Sequence, residues 1–210
     1  MHRTTIAAGM ILLMISVVGC GGTAREVNQG AYRDVRTNQR ADDDHLIRQV
    51  YDMNGDGGID LWKFYASVQK TDQEGEPERV LVRKEVDINF DGTIDRIMYY
   101  SQNEDLVSEE IDTNFDGIID RIQYYTNGFV VKTEVYTADC NRVRIDGKDR
   151  PEVSPNLTRH FRKGVLTRES FDSKCSGKEE MLTIFNEKGE VSQIGYDRDL
   201  DGVIDQWVKY

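Results

Sequence analysis

Asp52-Met53-Asn54-Gly55-Asp56-Gly57-Gly58-Ile59-Asp60, running straight into Leu61-Trp62-Lys63-Phe64-Tyr65, is the stretch that decides the fold. Its first nine residues carry oxygen-bearing side chains at positions 1, 3, 5 and 9. Ligands at alternate residues can turn inward together, and Gly at position 6 permits the sharp bend this requires. Aromatic residues dominate the five that follow, which suits a pleated strand. The nonapeptide recurs from Asp87, Asp112 and Asp197 as D-x-[ND]-x-D-G-x-I-D, each time ahead of a strand-like run at 96–100, 121–125 and 206–210. A single acidic Gly turn is common in hairpins. Four that agree at positions 1, 5, 6, 8 and 9 form a repeat.

The starts are 35, 25 and 85 residues apart, and the last gap holds two weaker units. Asp172-Ser-Lys-Cys-Ser-Gly177-Lys-Glu-Glu180 keeps the first Asp, the Gly and a terminal acid. Counting 25 from Asp112 reaches Thr137-Ala-Asp-Cys-Asn141, stripped of most ligands. Units therefore begin at 52, 87, 112, 137, 172 and 197. Tyr51, Val86, Ile111, Tyr136, Phe171 and Tyr196 precede them, and Leu46, Leu81, Leu106, Val131, Leu166 and Val191 stand six residues before, all apolar. Ten-residue insertions near 71–78 and 146–155, marked by Pro and Gly, read as surface excursions.

Short turns complete each unit, so the expected fold is all-β: an antiparallel up-and-down meander of about twelve strands, built from six hairpin repeats of about 25 residues. Metal loops line one edge. Four strands per blade would give three propeller blades where roughly 4–8 are usual. An open or rolled sheet fits the period better, with a closed barrel as competitor because closure removes exposed edges.

Calcium wants 6–8 oxygens, and the loop offers four side chains plus a carbonyl at position 7. It is not a full EF-hand: position 12 is Lys63, Met98, Gln123 or Val208 instead of Glu, and strands replace the flanking helices. The motif resembles the calcium loops on β-hairpins of integrin alpha-subunit propellers and FG-GAP repeats, over the loops alone. That resemblance implies calcium ligands at Asp52, Asn54, Asp56 and Asp60; Asp87, Asn89, Asp91 and Asp95; Asp112, Asn114, Asp116 and Asp120; and Asp197, Asp199, Asp201 and Asp205.

The chain opens with Met1-His-Arg3, an apolar run from Ile6 to Val18, and Val17-Val18-Gly19-Cys20. This resembles a bacterial lipoprotein signal peptide, which implies cleavage after residue 19 and acylation of Cys20. An uncleaved membrane helix is the competing interpretation, but the run falls short of the ~20 residues of a span. Gly21 stands where the familiar inner-membrane retention signal has Asp, so in a Gram-negative cell the outer membrane is expected, on either face. Residues 20–44, polar and without periodicity, read as the lipidated cysteine and a flexible tether; 45–210 form the repeat domain. Cys140 and Cys175 remain, an even pair in an oxidising compartment, expected to form a disulfide between the two ligand-poor loops; two free thiols are the alternative.

Removing residues 1–19 takes Arg3 away and leaves 26 basic against 38 acidic residues. Thirteen of those acids are loop aspartates, so the acidity is concentrated where a cation would neutralise it. No basic stripe with interleaved aromatics marks a nucleic-acid partner. No nucleophile elbow, zinc-protease helix or phosphate-cradling Gly loop appears, and the carboxylates are accounted for as ligands, so no enzyme is expected. The expected function is structural or interactive: a calcium-binding, lipid-anchored protein of the cell envelope. The alternative is a calcium-shaped binding module for a polysaccharide or surface protein, using a ladder of Tyr65, Tyr99-Tyr100, Tyr124-Tyr125 and Tyr210.

Overall fold

A computed structural model describes residues 25–26, 45–68, 77–137 and 154–210. The two-residue strand β1 (Arg25–Glu26) is followed by β2 (Ile47–Asp52), β3 (Leu61–Val68), β4 (Glu78–Val86), β5 (Arg96–Tyr100), β6 (Leu106–Ile111) and β7 (Arg121–Thr126). Then come β8 (Phe129–Val135), β9 (Leu157–Arg162), β10 (Val165–Phe171), β11 (Met181–Phe185), β12 (Val191–Tyr196) and β13 (Gln206–Lys209). They form one antiparallel sheet in strict chain order, with β1 and β13 as its two ends. The sheet is open, not closed into a barrel. Six pairs, β2–β3 through β12–β13, each flank one repeat loop, so the described residues of all six loops lie along one edge. β1 lies within the segment read as tether, where Arg25 is opposite Asp52 and Glu26 opposite Tyr51.

Adjacent loops are laced by a repeated rung. The N–H of Asp87 donates to the carbonyl of Asp60 at 2.8 Å, Asp112 to Asp95 at 2.8 Å, and Asp197 to Glu180 at 3.0 Å. The same rung runs from Tyr136 to Asp120 and from Asp172 to Asn156, each at 2.8 Å. Tyr136 therefore stands where the other loops have their first Asp. This corrects the expected frame: the fourth unit begins at Tyr136, not Thr137. Register agrees, because each following hairpin carries one unpaired extra residue (Val82, Val107, Val131, Thr167, Ser192) five places before its loop start. Only a start at 136 gives Val131 that offset. These bulges bend the sheet and sharpen its twist.

One face carries the apolar layer beside the loops. Ile at loop position 8 folds back onto it: Ile59 packs with Val50, Trp62 and Phe64, and Ile119, wholly buried, with Ile122 and Tyr136. Across the strands these residues alternate with polar ones: Trp62 pairs with Glu85, Glu85 with Ile97, Ile97 with Glu110, Glu110 with Ile122. The burial is thin, so fit at each contact matters. Gly195 shows this, standing two residues before its loop as Val50 does in the first unit. A Cβ there would lie 2.6 Å from Ile204 Cγ2 and 3.0 Å from the Trp207 ring. Gly195→Val is expected to destabilise the domain by about 1–3 kcal/mol through overpacking. An unchanged urea midpoint would contradict the packing described for β12 and β13.

Candidate metal loops

Every repeat loop with the full motif uses the same two left-handed residues. Position 6 is Gly57, Gly92, Gly117 or Gly202, with φ between 85° and 96°. Position 4 is Gly55 in the first loop but Phe90, Phe115 and Leu200 in the others, with φ of 64°, 61° and 63°. That backbone aims N–H groups at the carboxylates inside the loop. Asp87 accepts from Phe90 N–H at 2.7 Å and Gly92 N–H at 2.6 Å; Asp112 accepts from Phe115 and Gly117, and Asp197 from Leu200 and Gly202. Asp52 does the same with Gly55 and Gly57.

The residue at position 9 closes the loop by accepting the N–H of position 2: Met53 to Asp60 at 2.7 Å, Ile88 to Asp95 at 2.7 Å, Thr113 to Asp120 at 3.1 Å, and Arg198 to Asp205 at 2.8 Å. Across the loop, Asn54, Asn89 and Asn114 each donate their side-chain amide to the Asp at position 5. These bonds hold the expected ligand residues of each loop within one turn, but among the described residues three carboxylates converge only in the last loop, at Asp197, Asp199 and Asp205, with Asp201 outside the group. A carboxylate oxygen holds two lone pairs, so accepting one N–H leaves room for a cation.

Electrostatics discriminate among the loops. Asp87 and Asp95 are each only 1% exposed, and burial pushes both carboxyls above the usual range. Asp95 Oδ1 is buried with no hydrogen-bond donor, an orphaned anionic oxygen inside the second loop. Asp56 in the exposed first loop is held low by the N–H of Gly58 and the Asn54 amide. In the last loop Asp199 replaces Asn, and repulsion chiefly from Asp201 raises its carboxyl. Oxygens of Asp197, Asp199 and Asp205 lie within 4.8 Å of one another, and this acidic triad can hold a metal ion.

The fifth loop keeps the shape and its end acids, Asp172 and Glu180, without the middle ligands. Cys175 and Gly177 are left-handed (φ 54° and 83°), and Gly177 N–H donates to Asp172 at 2.7 Å. Ser176 takes over the acceptor role of the Asp at position 5, receiving Lys178 N–H at 3.3 Å. In the fourth loop Thr137 N–H reaches the Asn156 side chain, which makes Asn156 the counterpart of Asp at position 9. Sequence reasoning missed Asn156 because the insertion between them hides the count. Cys175 is disulfide-bonded. Its expected partner, Cys140, lies outside the described residues, as does Cys20. With the unit beginning at Tyr136, Cys140 is the fifth residue of its loop and Cys175 the fourth of its own.

The tyrosines serve the sheet. Tyr125 donates to Glu109, itself 2% exposed and paired with Arg96, and burial first, then this bond, push the phenol well above its ordinary range. Tyr124 donates to Glu134 at 2.9 Å, and Lys132 sits 5.2 Å over its ring. Tyr100 contacts Met98 Sδ at 3.6 Å. The contacts of Tyr124 and Tyr125 are cross-strand packing and that of Tyr100 lies within its own strand, while Tyr210 is 74% exposed. Buried carboxylates at Glu109, Glu110 and Glu134 were not anticipated from the sequence. His160 sits opposite Lys132 and Arg168, and burial first, then those cations, lowers its pKa.

No family model matches the chain, and no curated protein matches it. A solved structure, the crystal structure of accessory secretory protein 1, 2 and 3 in Streptococcus pneumoniae, is similar over 66% of this chain and 21% of that chain. The identity is 13% and the TM-score 0.30, a likeness that carries no argument.

Proposed function

We propose that this protein is a calcium-binding, lipid-anchored component of the cell envelope, with a structural or interaction role. The observation that carries the calcium assignment is the buried, donorless oxygen of Asp95 in a loop whose other oxygens are already arranged by backbone N–H groups. Burying an unpaired carboxylate is costly, and a cation at that point offsets the cost. The same hydrogen-bonded turn recurs in the first, third and last loops, and in the last the oxygens of Asp197, Asp199 and Asp205 lie within 4.8 Å of one another. Asn54, Asn89 and Asn114 contribute neutral carbonyl oxygens, which suits a hard cation such as calcium better than a thiolate-seeking metal.

Calcium in these sites organises the loop edge, with weak affinity of about 10⁻⁴–10⁻³ M as in extracellular modules. The lipoprotein signal ending at Cys20 supplies the anchor, and the outer membrane is the proposed location. Calorimetric titration of the acylated protein in detergent is the test. Four calcium ions per chain are expected, falling to two in the Asp91→Ala, Asp116→Ala double variant. An unchanged stoichiometry would reject the ligand assignment. Separately, Cys20→Ala is expected to abolish incorporation of lipid label.

A further inference from the structure

Three metal loops carry a feature that chelation does not require. Position 4 is left-handed in every one of them, a conformation in which L residues are disfavoured and Gly is at ease. The first loop has Gly55 there, yet the second, third and last have Phe90, Phe115 and Leu200. Those side chains are 45%, 47% and 40% exposed, and Ile88 and Val203 beside them are 44% and 63% exposed. Backbone strain and exposed apolar surface coincide at the same tips. Neither favours the isolated protein, and together they point outward to a partner.

The proposed anchor precedes the point where the chain enters the sheet. Strand β1 pairs antiparallel with the loop-proximal end of β2, Arg25 opposite Asp52, so the chain enters the sheet at the metal-loop edge. Cys20 stands five residues before Arg25, a contour of at most about 18 Å at 3.3–3.6 Å per residue. Loops of neighbouring units lie two strands apart, about 10 Å at the usual spacing, so the tips of the second and third loops are close neighbours along the edge. Each loop supplies four side chains and one carbonyl, fewer oxygens than the 6–8 that calcium takes.

Resting on the calcium and lipoprotein assignments above, we infer that the metal-loop edge docks on the phospholipid surface that holds the anchor. Calcium in the loops bridges to lipid phosphate oxygens, while Phe90, Phe115, Leu200, Ile88 and Val203 enter the boundary between headgroups and acyl chains. Interfacial binding of this kind scales with buried apolar area plus attraction to anionic lipid. Without calcium the thirteen loop aspartates repel an anionic surface, so docking is conditional on the ion.

The test is co-sedimentation of the chain from residue 20 onward, carrying Cys20→Ser and hence unacylated, with vesicles of equimolar phosphatidylethanolamine and phosphatidylglycerol. Millimolar calcium is expected to bring the protein down with the vesicles, and chelator to release it. Phe90→Gly, Phe115→Gly and Leu200→Gly combined relieve the strained backbone, so folding is preserved. The triple variant is expected to lose vesicle affinity by roughly a hundredfold while keeping its calcium-induced rise in melting temperature. A parent chain that shows that rise but stays in the supernatant, alone or associated with a second copy, overturns the docking inference and leaves calcium binding intact. Equal vesicle affinity of parent and triple variant overturns it too. Absence of any calcium-induced rise overturns both assignments.

Discussion

Calcium at about ten times its dissociation constant is expected to stabilise the folded domain by about 1.4 kcal/mol per loop, some 5–6 kcal/mol for four loops, and so to raise its melting temperature by roughly 10–20 °C over chelator. The size follows from linkage: the folded chain alone holds the loop oxygens in place, so an ion bound by them favours that state over the unfolded one. A second signature is the sign of the pH dependence. In chelator, Asp87 and Asp95 have folded carboxyls raised above the ordinary 3.8, chiefly by burial. Such a group opposes folding while ionised, and the penalty is relieved as pH falls through the raised folded value towards 3.8. With calcium bound the order inverts, because protons compete with the ion. Asp95→Asn isolates the effect. Chelated, at neutral pH, this variant is expected to melt no lower than the chelated parent; with calcium it is expected to melt below the calcium-loaded parent. A variant that loses stability equally in both conditions would count against the second loop as a metal site.

The loops, the strands and their order were legible because each depends on short-range pattern. Asp-x-Asn-x-Asp-Gly fixes a turn through its own side chains, and the aromatic runs after it have nowhere to go but a pleated ladder. The fourth unit was misplaced by one residue for an equally local reason. Val130, Val131, Val135 and Tyr136 are all apolar, so two adjacent frames satisfy the same hydrophobic test. The choice between them is made by pairing: Val135 lies opposite Arg121 and Leu157, which leaves Tyr136 to donate to Asp120. A slip of one residue exchanges the faces of a strand, and no single strand announces which face its neighbours present. Buried acids escaped for the same cause. Glu109 is covered by Arg96 from one neighbouring strand and Tyr125 from the other, 13 and 16 residues away in sequence. Such contacts come from the register of three strands together. The open sheet was favoured over the barrel, and the strand order bears this out, with β1 and β13 at opposite ends.

Reduction is expected to destabilise the domain by about 2–4 kcal/mol through a part of the sheet that chelation leaves alone. The fourth and fifth loops lack the ligand set: Tyr136 and Asn156 occupy two ligand positions in one, and Lys174 and Ser176 two in the other. An ammonium at Lys174 repels a divalent ion. What orders these loops must be covalent or hydrogen-bonded. Ser154 N–H donates to the Cys175 carbonyl at 3.4 Å, and a Cβ at Gly177 would lie 3.1 Å from Ser154 Oγ, so the end of the fourth loop leans over the fifth. Loops two strands apart would otherwise be about 10 Å apart, too far for a disulfide, whose Cα atoms lie roughly 4.4–6.8 Å apart. The lean brings backbone from one loop against the other, and the proposed bridge is Cys140 to Cys175. Mass spectrometry of an unreduced digest is expected to recover the two cysteines in one linked peptide pair. Reductant and chelator together are expected to lower stability by the sum of their separate effects to within about 0.5 kcal/mol, since the bridge and the ligand sets share no residue. Two free thiols in the digest would remove the bridge. Strong non-additivity would mean that the third and last loops, on either side of the blank pair, sense it through the rungs at Asp120 and Glu180.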